Sequence, residues 1–478
     1  MSPSQASARS RRALRLAVTA AALAVAFLLG AASGEAMRSK LDEWSLFVRT
    51  WWGPTPYQGY MRQGELPGGP ASGPGGSGPA ATGPAETGPA GSGATAPELT
   101  EEQRREIEAL RSMAYLSGTT PPTDAVGVTV NVEGVAWPGV NLAVDTHDTG
   151  AILMGMNGRA LHRWRLEFKQ AFPRSSIRPG AEGIQYWRRV HLYEDGGVLA
   201  IFEGAGLVRL DVDSRLLWGF EEAVHHDLEV QPGGDIVVLT REASVRPEIH
   251  PELPITEDWI VVLSSDGSVR RRVSVLEAIR RSDYYGLLGL TEGHGDLLHT
   301  NTVEILDGRL AGVLGAFRAG NALLSFPKIH TIAVLDMDSE RIVWALTGLT
   351  GYQHDPTVLD SGRLLVFDNW GDGGDHSRVV EIEPLSRRIE WAYEGSVYDF
   401  FTRCCGASQR LANGNTLITE TDRGRAFEVT PEKRIVWEYL TPHRVGEGPD
   451  ELVARLFEVE RLDESYVASW LASRRRGE

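Results

Sequence analysis

One hairpin recurs along this chain, and its repetition limits the possible folds more than any other feature. The clearest copy is QHDPTVLDSGRLLVFDN, residues 353–369. A strand from Thr357 to Leu359 enters a turn at Asp360-Ser361-Gly362, and a second strand, Leu364 to Phe367, returns. HHDLEVQPGGDIVVL, residues 225–239, has the same layout. From about residue 128, short strands alternate with Gly-rich turns at a period near 45–50 residues. Units tend to close on a strand carrying tryptophan: Trp164, Trp218, Trp344, Trp391 and Trp437. The last three are 47 and 46 residues apart. The unit between Trp218 and Trp344 closes near residues 258–273 and lacks a tryptophan at the closing position. Six four-stranded units predict an all-β fold, a six-bladed β-propeller. An irregular β-sandwich is the alternative. The tryptophans need no catalytic role, because an aromatic on an outer strand fills the wedge between twisted blades.

The segment before the repeats has a different character. Residues 1–15 form a basic tail with Arg9, Arg11, Arg12 and Arg15, expected on the cytoplasmic side. Residues 16–34 carry no acidic or basic group. At about 1.5 Å per residue such a stretch just spans the hydrocarbon core. The arginines before it predict an inner-membrane signal anchor with everything downstream exported, periplasmic or extracellular; a cleaved signal near Ala31-Ala32-Ser33 is the alternative. Trp44, Trp51, Trp52, Tyr57 and Tyr60 crowd the juxtamembrane segment 35–63. Residues 64–98, almost all Gly, Pro, Ala, Ser and Thr, read as a flexible linker. Residues 99–127 form a lead-in with a helix expected over Leu99–Leu116, opened by Thr100 with Gln103 three residues on. The propeller with its C-terminal extension then takes residues 128–478. A net charge of −16 argues against nucleic acid as a partner. The two cysteines, Cys404 and Cys405, are adjacent, so no disulfide framework exists, and they read as packing residues.

In a propeller the first strand of each blade lines the central channel, so residues at one register of that strand converge. His354 lies eight residues before Gly362, and His226 lies eight before Gly234. The same position in the other units holds Leu142, Arg189, Asn301 and Gly406. His299 lies two residues before Asn301, on the same face. Strand alternation points His225 away and leaves His226 inward. Three histidines, an arginine and an asparagine at one opening suit a small anion. No carboxylate falls in the set, which disfavours a glycosidase pair or a hard-cation site. Three histidines also suit zinc, the alternative chemistry. Arg378 and Arg410 are further cations able to face an anion.

HHDLEVQPGGDIVVL, HTNTVEIL (299–306), QHDPTVLDSGRLLVFDN, and QRLANGNTLI followed by FEVTPEKRIVWEY together resemble the bacterial arylsulfotransferase family over roughly residues 128–445. The resemblance implies transfer of a sulfuryl group from an aryl sulfate to a phenolic acceptor, without a nucleotide sulfate donor, cofactor or metal. It implies that His354 becomes transiently sulfated, that His226 contacts the transferring group, and that His299 and Asn301 form a His-x-Asn pair on the same site. It also implies an arginine after the His-x-Asn strand, where this chain has Pro327 followed by Lys328. Lys328 or Arg189 is then expected to supply the missing charge, with Arg378 behind them. The expected catalytic residues are therefore His354, His226 and His299, and the expected substrate-binding residues Asn301, Arg189, Lys328 and Arg378. The scheme is ping-pong through a sulfohistidine. A membrane-tethered binding propeller without catalysis and a histidine-metal hydrolase are the alternatives.

Overall fold

The computed structural model describes residues 99–111, 115–395 and 399–475. The expected tail, anchor, juxtamembrane segment and linker lie outside the described residues. Among those described, no helix is long and apolar enough to cross a membrane.

The lead-in helix covers Glu101–Arg111. Thr100 and Gln103 close it reciprocally: the Gln103 N–H donates to Thr100 Oγ1 at 3.1 Å, and the Thr100 N–H to Gln103 Oε1 at 2.8 Å. The expected helical end at Leu116 is corrected. Tyr115 and Leu116 are not helical, and Gly118–Thr120 is already a strand, pairing with Leu452–Ala454.

The chain is mostly β. Six sheets of four or five strands follow one another, beside one small three-stranded sheet. Sheet 2 uses Trp187–Leu192, Val198–Phe202, Gly206–Leu210 and Leu216–Phe220; sheet 3 uses Val224–Val230, Ile236–Val245, Pro254–Leu263 and Val269–Ser274. Sheet 4 uses Thr302–Ile305, Ala322–Phe326, Thr331–Asp336 and Arg341–Thr347; sheet 5 uses His354–Val358, Leu364–Asp368, Arg378–Glu383 and Arg388–Glu394. Sheet 6 runs from Ala407–Arg410 through Thr416–Glu420 and Arg425–Val429 to Ile435–Leu440, and Gly127–Asn131 is added outside. Sheet 1 is the exception. Its first strand is Leu456–Leu462, from the far end of the chain, followed by Val140–Asp145, Gly150–Gly155 and Ala160–Arg165.

First strands touch in sequence from sheet 2 to sheet 6, and Leu456–Leu462 touches those of both sheets 6 and 2. The series therefore closes. Leu142, placed by register on an inner strand, stands instead on the second strand of sheet 1, opposite Glu460. That long-range pairing has no local sequence signal.

Between each pair of neighbouring sheets lies an apolar cluster. Leu199, Ile201 and Leu207 meet Val224, Ile236 and Val238, for example, and Leu323 and Val334 meet Leu364 and Val366. Both faces of a middle strand are covered by neighbours. Such strands therefore read as continuous apolar runs, as in the fully buried Val198–Phe202, and not as alternation. The closing tryptophans add a directed contact. Trp164 Nε1 donates to Gly196 O at 2.9 Å, Trp218 to Ser265 O at 3.1 Å, Trp391 to Pro431 O at 2.9 Å and Trp437 to Met156 O at 2.9 Å. Each bond crosses to a turn of the next sheet. In sheet 3, Arg271 occupies the tryptophan's register and bonds Met337 O, the same crossing made by a guanidinium.

Candidate functional site

The first strands are not regular. Register breaks occur at Trp187/Val190, His225/Leu228, His354/Thr357 and Leu456/Glu458. Near them several non-glycine residues take left-handed backbone angles: His226 (φ 59), His299 (φ 57), Asp355 (φ 51) and Cys405 (φ 66). Each such residue costs about 1–3 kcal/mol, and strain of this kind collects where side chains must be aimed. Gly406 follows at φ 99, where a Cβ would lie 2.7 Å from the Phe367 ring. Here the backbone itself leaves no room for a side chain.

His354 opens the first strand of sheet 5 and is buried. Its Nδ1–H donates to Asn369 Oδ1 at 2.8 Å and lies 3.0 Å from Tyr352 O. Asn369 is held in that orientation because its Nδ2 donates to Cys405 O (2.7 Å) and Thr402 O (3.1 Å). The other ring nitrogen, Nε2, accepts the Cys405 N–H at 3.2 Å. Both contacts select one neutral tautomer. Burial pushes this imidazole down to about 3, so it is neutral across the physiological range. Tyr352 lies 6.0 Å from the His354 ring and is stacked on Trp370 at 4.8 Å, a half-buried aromatic wall.

His226 and His299 come together with ring centres 4.7 Å apart. The Asp296 carboxylate bonds His299 Nδ1 at 2.5 Å. Burial works against a charge on His299, but Asp296 overrides it and raises the imidazole above its ordinary value. His226 shifts the other way: burial, then the His299 charge, hold it well below the ordinary value. The two neighbouring imidazoles are thus pushed in opposite directions, His299 up and His226 down. His225 does not point away. The bulge breaks the alternation, and His225 Nδ1 meets His226 Nδ1 at 2.7 Å. Glu203 accepts the His226 N–H at 3.1 Å.

The substrate-binding candidates separate. Asn301 Nδ2 donates to Gln353 O at 3.1 Å, fixing the residue before His354. Lys328 is exposed, yet its charge reaches both Asp296 and His299; Pro327 beside it is buried. Arg189 faces away from the histidines. It pairs with Glu458 (2.6 Å), Asp227 (3.0 Å) and Asp355 (3.4 Å). Carboxylates, absent from the histidine register, therefore form the next level of the inner strands. Arg378 is bound to Asp368 at 2.7 Å and to Leu349 O, and Arg410 to Glu381 at 2.5 Å; both act as structural ties.

The arginine on the histidine side is Arg188. It is buried, its charge acts on both His226 and His354, and its Nε has no hydrogen-bond partner among the described residues. Which member of Arg188-Arg189 turns this way depends on the bulge between Trp187 and Val190. Arg455 adds a second buried cation, bonded to Cys404 Sγ at 3.0 Å and to Asp422 at 2.8 Å. The cysteines are thus more than packing: both are buried and free, one faces a guanidinium and the other aims its N–H at His354. Tyr115, from the lead-in, is the least expected member. Its Oη lies 2.5 Å from His226 Nε2 and 3.3 Å from His299 Nε2.

The chain is mostly β, and three of its successive first strands bring histidines together beside the buried Arg188. The sequence pattern of the arylsulfotransferase family matches residues 189–442, and the chain belongs to that family. No curated protein matches it. Among solved structures, a protein of unknown function from Bacteroides caccae is 13% identical, covering 67% of this chain and 98% of its own, with TM-score 0.43. A β-propeller domain from Myceliophteria thermophila is 11% identical over 68% of this chain and 89% of its own, with TM-score 0.39. Streptogramin B lyase is 11% identical over 70% and 97%, with TM-score 0.37. Likenesses this distant carry no weight for function, and the architecture rests on the strand pairing above.

Proposed function

We propose that the protein is an aryl-sulfate sulfotransferase built on a six-bladed β-propeller, moving a sulfuryl group between phenols through His354. The observation that carries this reading is Arg188: a buried guanidinium with an unpartnered Nε, beside a neutral histidine whose tautomer is set. A buried guanidinium N–H without a partner is costly unless a ligand accepts from it. The family membership points to sulfate as that ligand.

In the first half-reaction His354 Nε2 attacks sulfur, the N–S bond forms and the S–O bond to the aryl group breaks. His299, charged through Asp296, protonates the departing phenolate. The Cys405 N–H, until then on Nε2, is released to a sulfuryl oxygen, and Arg188 stabilises the equatorial charge. In the second half the acceptor phenol returns its proton to His299 and attacks sulfur, and the N–S bond breaks. His226 Nε2 orients the acceptor hydroxyl. Tyr352 and Trp370 offer the stacking surface for an aryl ring. No nucleotide donor, cofactor or metal enters the scheme.

The full-length protein should release phenolate from a chromogenic aryl sulfate, faster with added phenol, and donor alone should add a sulfuryl mass to the His354 peptide. His354→Ala should lose both. Sequential kinetics with no modified enzyme would refute the scheme.

A metal-dependent hydrolase has one observation in its favour: ligand atoms of Glu203, His225 and His226 lie within 4.8 Å of one another. Two nitrogens on tetrahedral zinc stand about 3.3 Å apart. The 2.7 Å between the two Nδ1 atoms is instead a hydrogen-bond distance. Stoichiometric zinc in the purified protein would favour the hydrolase.

The same proposal places the domain outside the cytoplasm, anchored by residues 16–34 and spaced by the linker. External protease should cleave within 64–98 in spheroplasts if this is right, and only after lysis if it is wrong.

A further inference from the structure

The phenol of Tyr115 stands where the proposed reaction needs a phenol. Its hydroxyl lies between His226 and His299, the imidazoles pushed down and up. It contacts the same two ring nitrogens, His226 Nε2 and His299 Nε2, that the scheme above assigns to the hydroxyl of an acceptor phenol. The ring packs edge-on to His226 (5.6 Å) and to Phe457 (5.8 Å), with Arg188 and Arg455 at 5.5 Å and 5.4 Å from its centre. Burial keeps it a neutral phenol.

Tyr115 belongs to no sheet around the site. The described segments on either side of it in sequence are both fastened. On one side, the helix Glu101–Arg111 buries Ile107 and bonds Glu252 O through Gln103 Nε2. On the other, Ser117 O accepts the Arg455 N–H (3.1 Å), and Gly118–Thr120 pairs with Leu452–Ala454. Its own N–H bonds Tyr186 Oη at 2.9 Å. A cavity of about 740 Å³ is walled by Glu203, which accepts the His226 N–H, by Arg241, and by Glu108 and Arg111 of the helix.

We propose that Tyr115 is a built-in occupant of the phenol seat, so that an external phenol binds only by displacing it. The inference rests on the proposed function for the name of the ligand, but not for its test. Binding of 4-nitrophenol to the full chain, without any sulfate donor, is measured by calorimetry for the native protein, Tyr115→Phe and Tyr115→Ala. Removing the hydroxyl weakens the plug by the bonds to two histidines, so Tyr115→Phe should bind the phenol about 5- to 10-fold more tightly. Tyr115→Ala, which also empties the ring's space, should gain more than 10-fold. With an aryl sulfate present, the acceptor KM should fall in both variants while kcat does not.

Equal or weaker phenol binding in folded Tyr115→Phe overturns the proposal, as does a kcat lowered in both variants, which would make Tyr115 part of the chemistry. Should Tyr115→Ala fail to fold, Tyr115→Phe alone decides. Tighter phenol binding without sulfuryl transfer from any donor would leave the plug standing and remove the proposed function.

Discussion

Asn369→Ala separates orientation of the nucleophile from its mere presence. The side chain makes three buried hydrogen bonds, one from His354 Nδ1 and two to the carbonyls of Cys405 and Thr402. At about 1 kcal/mol each, their loss costs about 3 kcal/mol. The Thr402 carbonyl keeps a second partner in Ser377 Oγ at 3.2 Å, so only the Cys405 carbonyl is stripped. A domain with a margin of about 5–15 kcal/mol survives this loss at 25 °C. The effect on the chemistry is distinct. His354 keeps Tyr352 O as an acceptor but loses the closer one, and Cys405, whose N–H faces Nε2, loses the bond to its own carbonyl. A weaker tautomer preference of about 1 kcal/mol and a looser ring together predict a fall in kcat of about 10- to 100-fold, with donor KM little changed. Phenolate release from a chromogenic aryl sulfate gives kcat, thermal unfolding gives the stability, and ¹⁵N shifts of the imidazole give the tautomer. A variant that loses stability but keeps full kcat and the Nδ1–H tautomer would refute the reasoning.

Asp296→Asn removes the carboxylate that raises His299. Because Asp296 raises the His299 pKa above its ordinary value of 6.5, the alkaline limb of donor cleavage should lie above pH 6.5. In the variant burial prevails, and that limb should move below 6.5; a limb that stays in place refutes the acid role. Arg188→Met should lower kcat/KM for the donor about 100-fold. Arg189→Met should instead cost about 3–5 kcal/mol of stability, since it leaves three buried carboxylates without their cation. The reverse pattern in kinetics and unfolding would exchange the two arginines. Glu304 is pushed up by burial to about 8. Its folded value is above its unfolded one, so its contribution is complete below the unfolded pKa and is lost as pH rises, at about 1.4 kcal/mol per pH unit until the folded pKa is reached. Glu304→Gln keeps an acceptor for the Val358 N–H and should flatten that loss; an unchanged stability profile between pH 5 and about pH 8 would show the group is not responsible.

Much of this molecule can be read along the chain because it is local. Short strands with Gly turns announce sheets, and the tryptophan spacing marks the fourth strands that bond the next sheet. Even the unit without a closing tryptophan keeps the position, with Arg271 making the same crossing. His354 begins a first strand, His299 precedes one and His226 lies near the start of one, so all three stand out by register, and the family pattern spans those same segments. Other features depend on where the chain returns or where the backbone leaves regular geometry. The strand Leu456–Leu462 completes sheet 1 from more than 300 residues away in sequence. Tyr115 reaches the histidines only because the segment after it is held by Arg455 and Leu452–Ala454.

The choice of Arg188 over Arg189, and the meeting of His225 with His226, turn on bulges in the first strands. A side chain's face follows from alternation only while the ladder is regular. One added residue in a strand reverses every assignment beyond it. The repeated sheets and the histidine register follow from the order of residues, whereas the cation beside the nucleophile and the phenol in its seat follow from strand breaks and distant segments that exist only once the chain has folded.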